Sequence, residues 1–306
     1  MGDEHALRTT ILEAVAREYG LQPLDVRIFQ GEYDRNIRIT DPARGTWLIK
    51  VSDERIPAVA LDWQETVLAA AAGGSDPAAG PGCETPHLLP TASGALRIQV
   101  VHGGETYRVR ILSWIAGDLL STRTEVPRDV HLALGRVSAR LTAAFAHLEP
   151  PLDLPEHAWL AQRSNREIRA ALDRLPQDSR TRTIAEVVAD FEHHHSRRMD
   201  RVPWGVVHHD LHDDNVVVGG SDPMAVVGII DFNDAHAAPL WMHCWVKAVV
   251  RAGEARHSAP RERPGSCPAA AEPPGVMRAA GRPQSIVPTG SRFSDWKRSS
   301  LRPYAQ

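Results

Sequence analysis

Hydrophobic positions in the first 120 residues repeat at two different intervals. Residues 4–19 space their apolar side chains as a helix does and stop before Gly20, which predicts an amphipathic helix with a glycine at its end. Short apolar or alternating runs between turn residues follow, and they predict an antiparallel sheet with one helix inserted between its strands. The predicted strands are residues 26–29, 36–40, 46–51, 96–101 and 107–114, and the inserted helix is residues 59–72.

The pattern changes to helices after Pro127, a residue suited to the first turn of a helix. Runs of strands followed by runs of helices indicate an α+β fold with two lobes. We place the boundary near Gly117, so that residues 1–116 form an N-terminal lobe and residues 117–250 a C-terminal lobe. The predicted helices of the second lobe are residues 129–148, 165–175 and 183–199, and its strands are residues 205–208, 215–218 and 225–230.

The last 56 residues, 251–306, differ from the rest in composition. They contain eight Pro and five Gly but few large apolar side chains. They carry ten Arg and Lys against four Asp and Glu, whereas the whole chain has a net charge of −3. Such a segment cannot offset its ordering entropy by burial, so we predict a disordered tail on an acidic body. An acidic body lacks the basic face of a nucleic-acid-binding domain.

The composition of the 306-residue chain is that of an ordinary globular protein, with 42% hydrophobic and 24% charged residues. No window approaches about 18 uncharged apolar residues and the N-terminus is acidic, so we expect neither a membrane span nor secretion. The three cysteines are widely separated, which fits neither a disulfide framework nor a CxxC metal site. We therefore expect a cytoplasmic protein. Its oligomeric state has no signal in the sequence.

Polar residues cluster at both ends of the last predicted hairpin. His208, Asp210 and Asn215 precede one hydrophobic strand with H-x-D-x-x-x-x-N spacing, and Asp231-Phe232 follows the other. Phosphoryl transfer needs a carboxylate for the proton of the acceptor hydroxyl and oxygen ligands for Mg²⁺. The arrangement therefore predicts a phosphoryl-transfer site, in which His208 supports the loop through hydrogen bonds.

A cation for the nucleotide phosphates is expected on a strand of the first sheet. Lys50, at the end of the T-W-L-I-K run, meets this requirement. On the helix that follows, Glu65 can anchor the Lys50 ammonium, and Gln64 fits by register equally well. Residues 31–36 can cover the phosphates, but with a single Gly they fail as a P-loop or dinucleotide fingerprint.

The strand lysine and the two hairpin motifs occur in an order that resembles the aminoglycoside phosphotransferase and choline kinase family, which has a protein-kinase-like fold. Residues 31–36, 109–117 and 228–235 are similar to the hydroxylysine kinase branch of that family. The resemblance spans residues 26–235. It implies a nucleotide-binding first lobe, a catalytic second lobe, Mg²⁺ as cofactor, and ATP or GTP as co-substrate. It implies that Asp210 is the catalytic base and that Asn215 and Asp231 are Mg²⁺ ligands. It also implies that the catalytic cation Lys50 binds the phosphates with support from Glu65. Ser113 and Ile115 would contact the adenine or guanine ring.

The resemblance predicts a kinase that transfers the γ-phosphoryl group to a hydroxyl of an amino-alcohol-like substrate of the hydroxylysine or aminoglycoside type. Its partners would be a nucleotide and a small hydroxylated amine, without nucleic acid or membrane.

Two alternatives stay open. Family members continue after the Asp231 segment with apolar helices, whereas here residues 241–250 begin one such helix before the Pro/Arg-rich tail takes over. A nucleotide-binding protein with impaired catalysis is therefore one alternative. A metal-dependent hydrolase built on His208, His209 and His212 is the other.

Overall fold

The structure of the protein is a computed structural model that describes residues 2–31, 34–73, 82–156, 161–194, 198 and 201–242. The predicted tail, 251–306, lies outside the described residues, as do residues 243–250 of the predicted final helix. Among the helices of the described part, none is both long enough and apolar enough to cross a bilayer.

The first half of the chain forms a helix and a five-stranded antiparallel sheet with a second helix inserted. The elements are α1 Gly2–Tyr19, β1 Asp25–Gln30, β2 Arg35–Asp41, β3 Gly45–Ser52, α2 Ala58–Ala71, β4 Arg97–His102 and β5 Glu105–Ser113. The strands pair in the order β1-β2-β3-β5-β4. Helix α1 ends at Gly20, whose φ of 66° suits a residue without a side chain. These elements confirm the predicted order of strands and helices.

The two faces of this sheet have different environments. The face that carries Ile49 and Ile111 packs with helix α1 in one hydrophobic core. The opposite face carries Lys50, whose direct cross-strand partner is Arg110, and Leu112, which packs in a second core with residues of the second half of the chain. Because side chains alternate along a strand, the predicted catalytic cation lies on the face turned toward the second half.

The described part of the second half combines three α-helices with short strands. The elements are β6 Asp118–Leu119, α3 Arg128–Ala144, α4 Ala161–Leu172, α5 Ser179–His194, β7 Trp204–Val207, β8 Val216–Gly219, β9 Asp222–Ile229 and β10 His236–Pro239. Strands β6, β8 and β9 form one sheet and β7 pairs with β10. Helix α3 covers the hairpin, because Leu141 in its last turn and Phe145 at its end share a core with Val216 and Ile229.

The predicted α+β architecture is confirmed. The predicted lobe boundary at residue 117 falls between β5 and β6. Gly117 has a φ of 148°, and a Cβ at this position would come within 2.6 Å of Val218 O, so a glycine allows the connecting segment to lie against the hairpin. Strands β6 and β10 were missed by the sequence analysis, because two and four residues are too few to show a period. Helix α3 also ends four residues earlier than predicted, at Ala144.

Candidate active site

The hairpin formed by β8 and β9 brings its two polar loops into contact. The Ile230 N–H donates to the Asn215 carbonyl at 3.0 Å, and the ring of His208 bonds the Ile230 carbonyl at 3.0 Å. The segment that begins at His208 and the segment that contains Asp231 are therefore fastened together by hydrogen bonds from both sides.

His208 is fully buried beneath the two loops, with its ring 4.6 Å from the ring of Phe232. Burial lowers the pKa of His208, against the opposing influence of its hydrogen bond to Ile230 and of nearby carboxylates. The imidazole is thus neutral, and because a carbonyl only accepts, the proton lies on Nε2. Its position is that of a residue that supports the loops.

Asp210 is held from two directions. The Asn215 amide donates to the Asp210 carbonyl at 2.7 Å and to its carboxylate at 3.1 Å. His212 Nε2 lies 3.3 Å from Asp210 Oδ2, and this hydrogen bond is the main reason why the pKa of His212 is raised. A third of the Asp210 side chain stays exposed, so a substrate hydroxyl can approach the carboxylate.

Asp231 lies where the chain leaves strand β9, with a left-handed backbone (φ 61°, ψ 71°) that is uncommon for a residue other than glycine. Its Oδ1 accepts a hydrogen bond from Lys50 at 2.9 Å. The surrounding protein opposes ionisation, but the Lys50 charge and hydrogen bond outweigh this and lower the pKa of Asp231. Asp231 is therefore an anion next to the ammonium of the first sheet.

Lys50 is itself buried, with only 8% of its side chain exposed. Besides Asp231, its ammonium faces Asp34 Oδ2 at 3.7 Å. The same Asp34 oxygen lies 3.6 Å from Arg110 Nη2, and the Ser52 hydroxyl donates to the other Asp34 oxygen at 2.5 Å.

Both residues of helix α2 that were expected to bind Lys50 are hydrogen-bonded to arginines instead. Gln64 accepts from Arg110 at 2.7 Å, and Glu65 accepts from Arg97 at 2.8 Å. The partner was expected on the helix that follows β3, because protein kinases place it there. The ion-pair partners that the structure gives Lys50 are Asp34 and Asp231.

Asp34 and Arg110 are site residues that the sequence analysis missed. Arg110 interrupts an otherwise apolar run between Val109 and Ile111 and is only 1% exposed. A charge in a buried strand requires a partner, so this interruption was a usable signal. Asp34 had a weaker signal, because an aspartate between two strands is also a common turn residue.

Ser113 and Ile115 lie at the end of strand β5, where the chain passes toward the hairpin. Ser113 exchanges hydrogen bonds with His87, through its N–H at 2.9 Å and its hydroxyl at 3.0 Å. Ile115 is buried and packs against Gly228 of strand β9, where a Cβ would come within 2.6 Å of Ile115 Cγ2. These two residues therefore join the first sheet to the hairpin.

The side chains near the hairpin loops suit a hard divalent cation. The Asn215 amide nitrogen is used by Asp210, which leaves the amide oxygen for a ligand. Asp231 uses Oδ1 for Lys50, and its carboxylate also accepts a hydrogen bond from the Asn233 N–H. Nearly half of its side chain stays exposed and can approach a ligand. An amide oxygen and a carboxylate oxygen are ligands that Mg²⁺ prefers, so the residues present fit the predicted metal.

The three histidines of the alternative hydrolase do not form a ligand set among the described residues. The one group of potential metal ligands found there is His212, Asp213 and Asp214, which shares a single histidine with the alternative. His208 is bonded to Ile230 instead. The geometry thus gives no support to a zinc site on His208, His209 and His212.

A family model described as the phosphotransferase enzyme family, APH, matches residues 25–260. The chain belongs to this family. The predicted membership in the aminoglycoside phosphotransferase family and the predicted enzyme class, a phosphotransferase with an alcohol acceptor, are confirmed. A comparison with curated proteins found no match.

Solved structures of APH-type kinases share the fold. An amicoumacin kinase, hAmiN, in complex with AMP-PNP, Ca²⁺ and Ami, has a TM-score of 0.57 at 15% identity, covering 80% of this chain and 70% of its own. A microcompartment-associated aminopropanol kinase has a TM-score of 0.55 at 16% identity, covering 84% and 82%. A GDP complex of a wild-type aminoglycoside 2'-phosphotransferase-IIIa has a TM-score of 0.54 at 16% identity, covering 82% of each chain.

Proposed function

We propose that this APH-family chain transfers the γ-phosphoryl group of ATP or GTP to a hydroxyl of a small amino alcohol, with Mg²⁺ as cofactor. One observation carries the proposal: the Lys50 ammonium of the first sheet reaches Asp231 of the hairpin at 2.9 Å. Strand β8 begins after Asn215 and pairs with strand β9, which ends before Asp231. One site therefore combines a cation for the phosphates, oxygen ligands for a metal and the carboxylate of Asp210.

Asp210 is the proposed catalytic base. Phosphoryl transfer depends mainly on positioning, and the Asn215 amide and His212 ring fix the Asp210 carboxylate from two sides. The partly exposed carboxylate accepts the proton of the acceptor hydroxyl as its oxygen bonds to the γ-phosphorus. The bond from that phosphorus to the bridging oxygen of the nucleotide breaks, and ADP or GDP leaves. His208 keeps this loop in register with the Asp231 loop through its bond to the Ile230 carbonyl.

Asn215 and Asp231 would hold Mg²⁺. When bound there, the ion would neutralise negative charge on the phosphates. Asp231 suits this role because its pKa is lowered, so it stays an anion at neutral pH. Lys50 binds the nucleotide phosphates as a second positive charge.

Ser113 and Ile115 are proposed to line the base pocket. Their segment is the point where a purine can lie between the first sheet and the hairpin. Neither the N–H nor the carbonyl of Ile115 has a hydrogen-bond partner among the described residues, although Ile115 is only 6% exposed. A purine edge offers the complementary donor and acceptor, which would satisfy these buried groups.

An amine-bearing acceptor is favoured by the charge around Asp210. Asp213, Asp214 and Asp234 lie in the two loops next to it, and the hydrogen bond to Asp210, with the other nearby carboxylates, raises the pKa of His212. Such a concentration of carboxylates attracts cations. The hydroxylysine kinase resemblance and the amino-alcohol substrates named for similar structures point to the same class, so hydroxylysine and aminoglycosides are the first candidates.

We propose that the protein acts in the cytoplasm. Cys83 is a free thiol, and burial raises its pKa to about 11. An unpaired, unreactive cysteine is what a reducing compartment permits.

The test is a screen for nucleotide consumption over hydroxylysine, aminopropanol, aminoglycosides and choline, each with Mg²⁺ and either ATP or GTP. We expect acceptor-dependent turnover with at least one hydroxylated amine. Nucleotide-dependent thermal stabilisation is measured beside it. Stabilisation without turnover on the whole panel would favour the alternative of a nucleotide-binding protein with impaired catalysis.

A further inference from the structure

We propose that Asp34 is the positioning residue for Lys50, and that it holds the ammonium toward the nucleotide phosphates in place of a carboxylate on helix α2. The inference rests on the proposed nucleotide site and deepens it. It assigns a role to a buried carboxylate, 4% of whose side chain is exposed, that neither the hairpin motifs nor the strand lysine accounts for.

Asp34 receives contacts from four residues in three parts of the site. Its Oδ1 accepts the Ser52 hydroxyl at 2.5 Å. Its Oδ2 accepts the Asn233 amide at 3.3 Å and faces Lys50 Nζ at 3.7 Å and Arg110 Nη2 at 3.6 Å. The carboxylate therefore connects the β1–β2 loop with strands β3 and β5 and with the loop that contains Asp231.

The charges on the sheet explain why a carboxylate is needed here. Lys50 and Arg110 are direct cross-strand partners on one face, and like charges in such a pair repel each other. Both side chains are almost fully buried, at 8% and 1% exposure, so water screens this repulsion poorly. Asp34, within 4 Å of both cations, is the group that allows them to lie side by side.

Asp231 cannot serve as the permanent partner of Lys50. Nearly half of its side chain, 46%, is exposed, and the proposed function engages its carboxylate with Mg²⁺. The carboxylates of helix α2 do not take over, because Glu65 is paired with Arg97. Of the carboxylates that contact Lys50 among the described residues, Asp34 is the one left when Asp231 is a metal ligand.

A mechanical coupling follows from this placement. Asp34 belongs to residues 31–36, the segment that can cover the phosphates according to the sequence analysis. The carboxylate that orients the phosphate-binding ammonium is thus on the covering loop itself. Nucleotide affinity therefore depends on Asp34, and this dependence acts through Lys50.

The experiment is a double-mutant cycle on the affinity for AMP-PNP with Mg²⁺, measured by calorimetry on the full chain. We expect Asp34→Asn, which keeps size and shape, to raise the dissociation constant about tenfold, because Lys50 loses the buried carboxylate of its ion pair. In a Lys50→Met background the same change should raise it less than about twofold, because coupled residues are not additive. Glu65→Gln tests the alternative anchor on helix α2 and should change the dissociation constant less than Asp34→Asn does. Asp118→Asn, at an exposed carboxylate paired with Arg123, is the matched control, with a change under about twofold in both backgrounds.

Kinetics and a milder variant complete the test. Asp34→Asn should raise the nucleotide KM more than it lowers kcat, and Asp34→Glu should restore part of the affinity. If Asp34→Asn does not fold, Ser52→Ala removes only the hydroxyl bonded to Asp34. It should raise the dissociation constant about threefold with Lys50 present and leave it unchanged in the Lys50→Met background.

Equal effects of Asp34→Asn or Ser52→Ala in both backgrounds would overturn the proposal, as would a larger effect of Glu65→Gln. Failure of the proposed function looks different. If the chain binds AMP-PNP with the expected coupling but phosphorylates no acceptor, the proposed function fails and the role of Asp34 stands. If it phosphorylates an acceptor but the effects of Asp34→Asn and Lys50→Met on affinity are additive, the role of Asp34 fails and the proposed function stands.

Discussion

Lys50 and Asp231 are 181 positions apart in the sequence, and their side chains meet at 2.9 Å. One lies on the third strand of the first sheet and the other follows the last strand of the hairpin. Each lowers the cost of keeping the other charged in a partly buried site. In the proposed phosphoryl transfer Lys50 binds the phosphates and Asp231 holds the metal. Their contact would place both roles in one site.

Truncation of His208 should destabilise the fold and slow catalysis together. His208→Ala removes a fully buried ring and leaves the Ile230 carbonyl without its bond, which should lower the free energy of unfolding by about 2–4 kcal/mol. Denaturant unfolding measures the loss. His147→Ala, at an exposed position of the same residue type, should change stability by less than about 0.5 kcal/mol. An equally small loss at His208 would refute its supporting role.

The pH dependence of stability should also change at His208. Its folded pKa is lowered, so the unfolded chain binds the proton more readily and stability falls as the pH drops below the ordinary imidazole value of about 6.5. His208→Gln keeps a donor for the Ile230 carbonyl but does not titrate. The variant should therefore lose less stability than the wild type between about pH 7 and pH 5. Parallel pH profiles would count against a neutral, buried imidazole.

Gly228 tests the packing beside the proposed base pocket. A Cβ there would lie 2.6 Å from Ile115 Cγ2, and a methyl group so close must displace the segment. Gly228→Ala should raise the nucleotide KM several-fold, and a second change, Ile115→Ala, should relieve the overlap. Gly135→Ala is the control, since nothing lies within 4 Å of its Cβ and a helical alanine should add about 0.5–1 kcal/mol of stability. Unchanged nucleotide kinetics in Gly228→Ala would contradict this placement of the base.

The sequence predicted the elements that repeat over many residues. The five strands of the first sheet and the hairpin β8–β9 were found within a few residues, because apolar alternation and turn residues define them locally. The motif around Asp210 was found because its spacing is local as well. Strands β6 and β10 were missed, since their pairing depends on distant partners.

The ion-pair partners of Lys50 could not be read from the sequence. The choice between Gln64 and Glu65 was a question of helix register, and the structure gives both to arginines. Asp34 reaches Lys50 because two loops and two strands converge on it, and this convergence follows from the packing of the sheet against the hairpin. A short-range pattern contains no information about such a contact.

Turnover should require Mg²⁺ and depend on Asp231. A chelator should abolish the reaction, and added Mg²⁺ should restore it. Asp231→Asn removes a ligand charge, so the Mg²⁺ concentration for half-maximal rate should rise by about tenfold or more. Asp118→Asn, a change at an exposed carboxylate whose ion pair is with Arg123, should leave this concentration unchanged. A chelator-resistant activity would show that the oxygen ligands near the hairpin have another purpose.

The reaction rate of Asp210→Asn, measured together with its nucleotide affinity, tests the central claim most directly. The substitution keeps the shape of the side chain but removes the proton acceptor, so kcat should fall by about 10²–10⁴-fold while the dissociation constant for AMP-PNP changes by less than about threefold. Asp153→Asn, at an exposed turn, should match the wild type in both measurements. Wild-type turnover by Asp210→Asn would contradict the account.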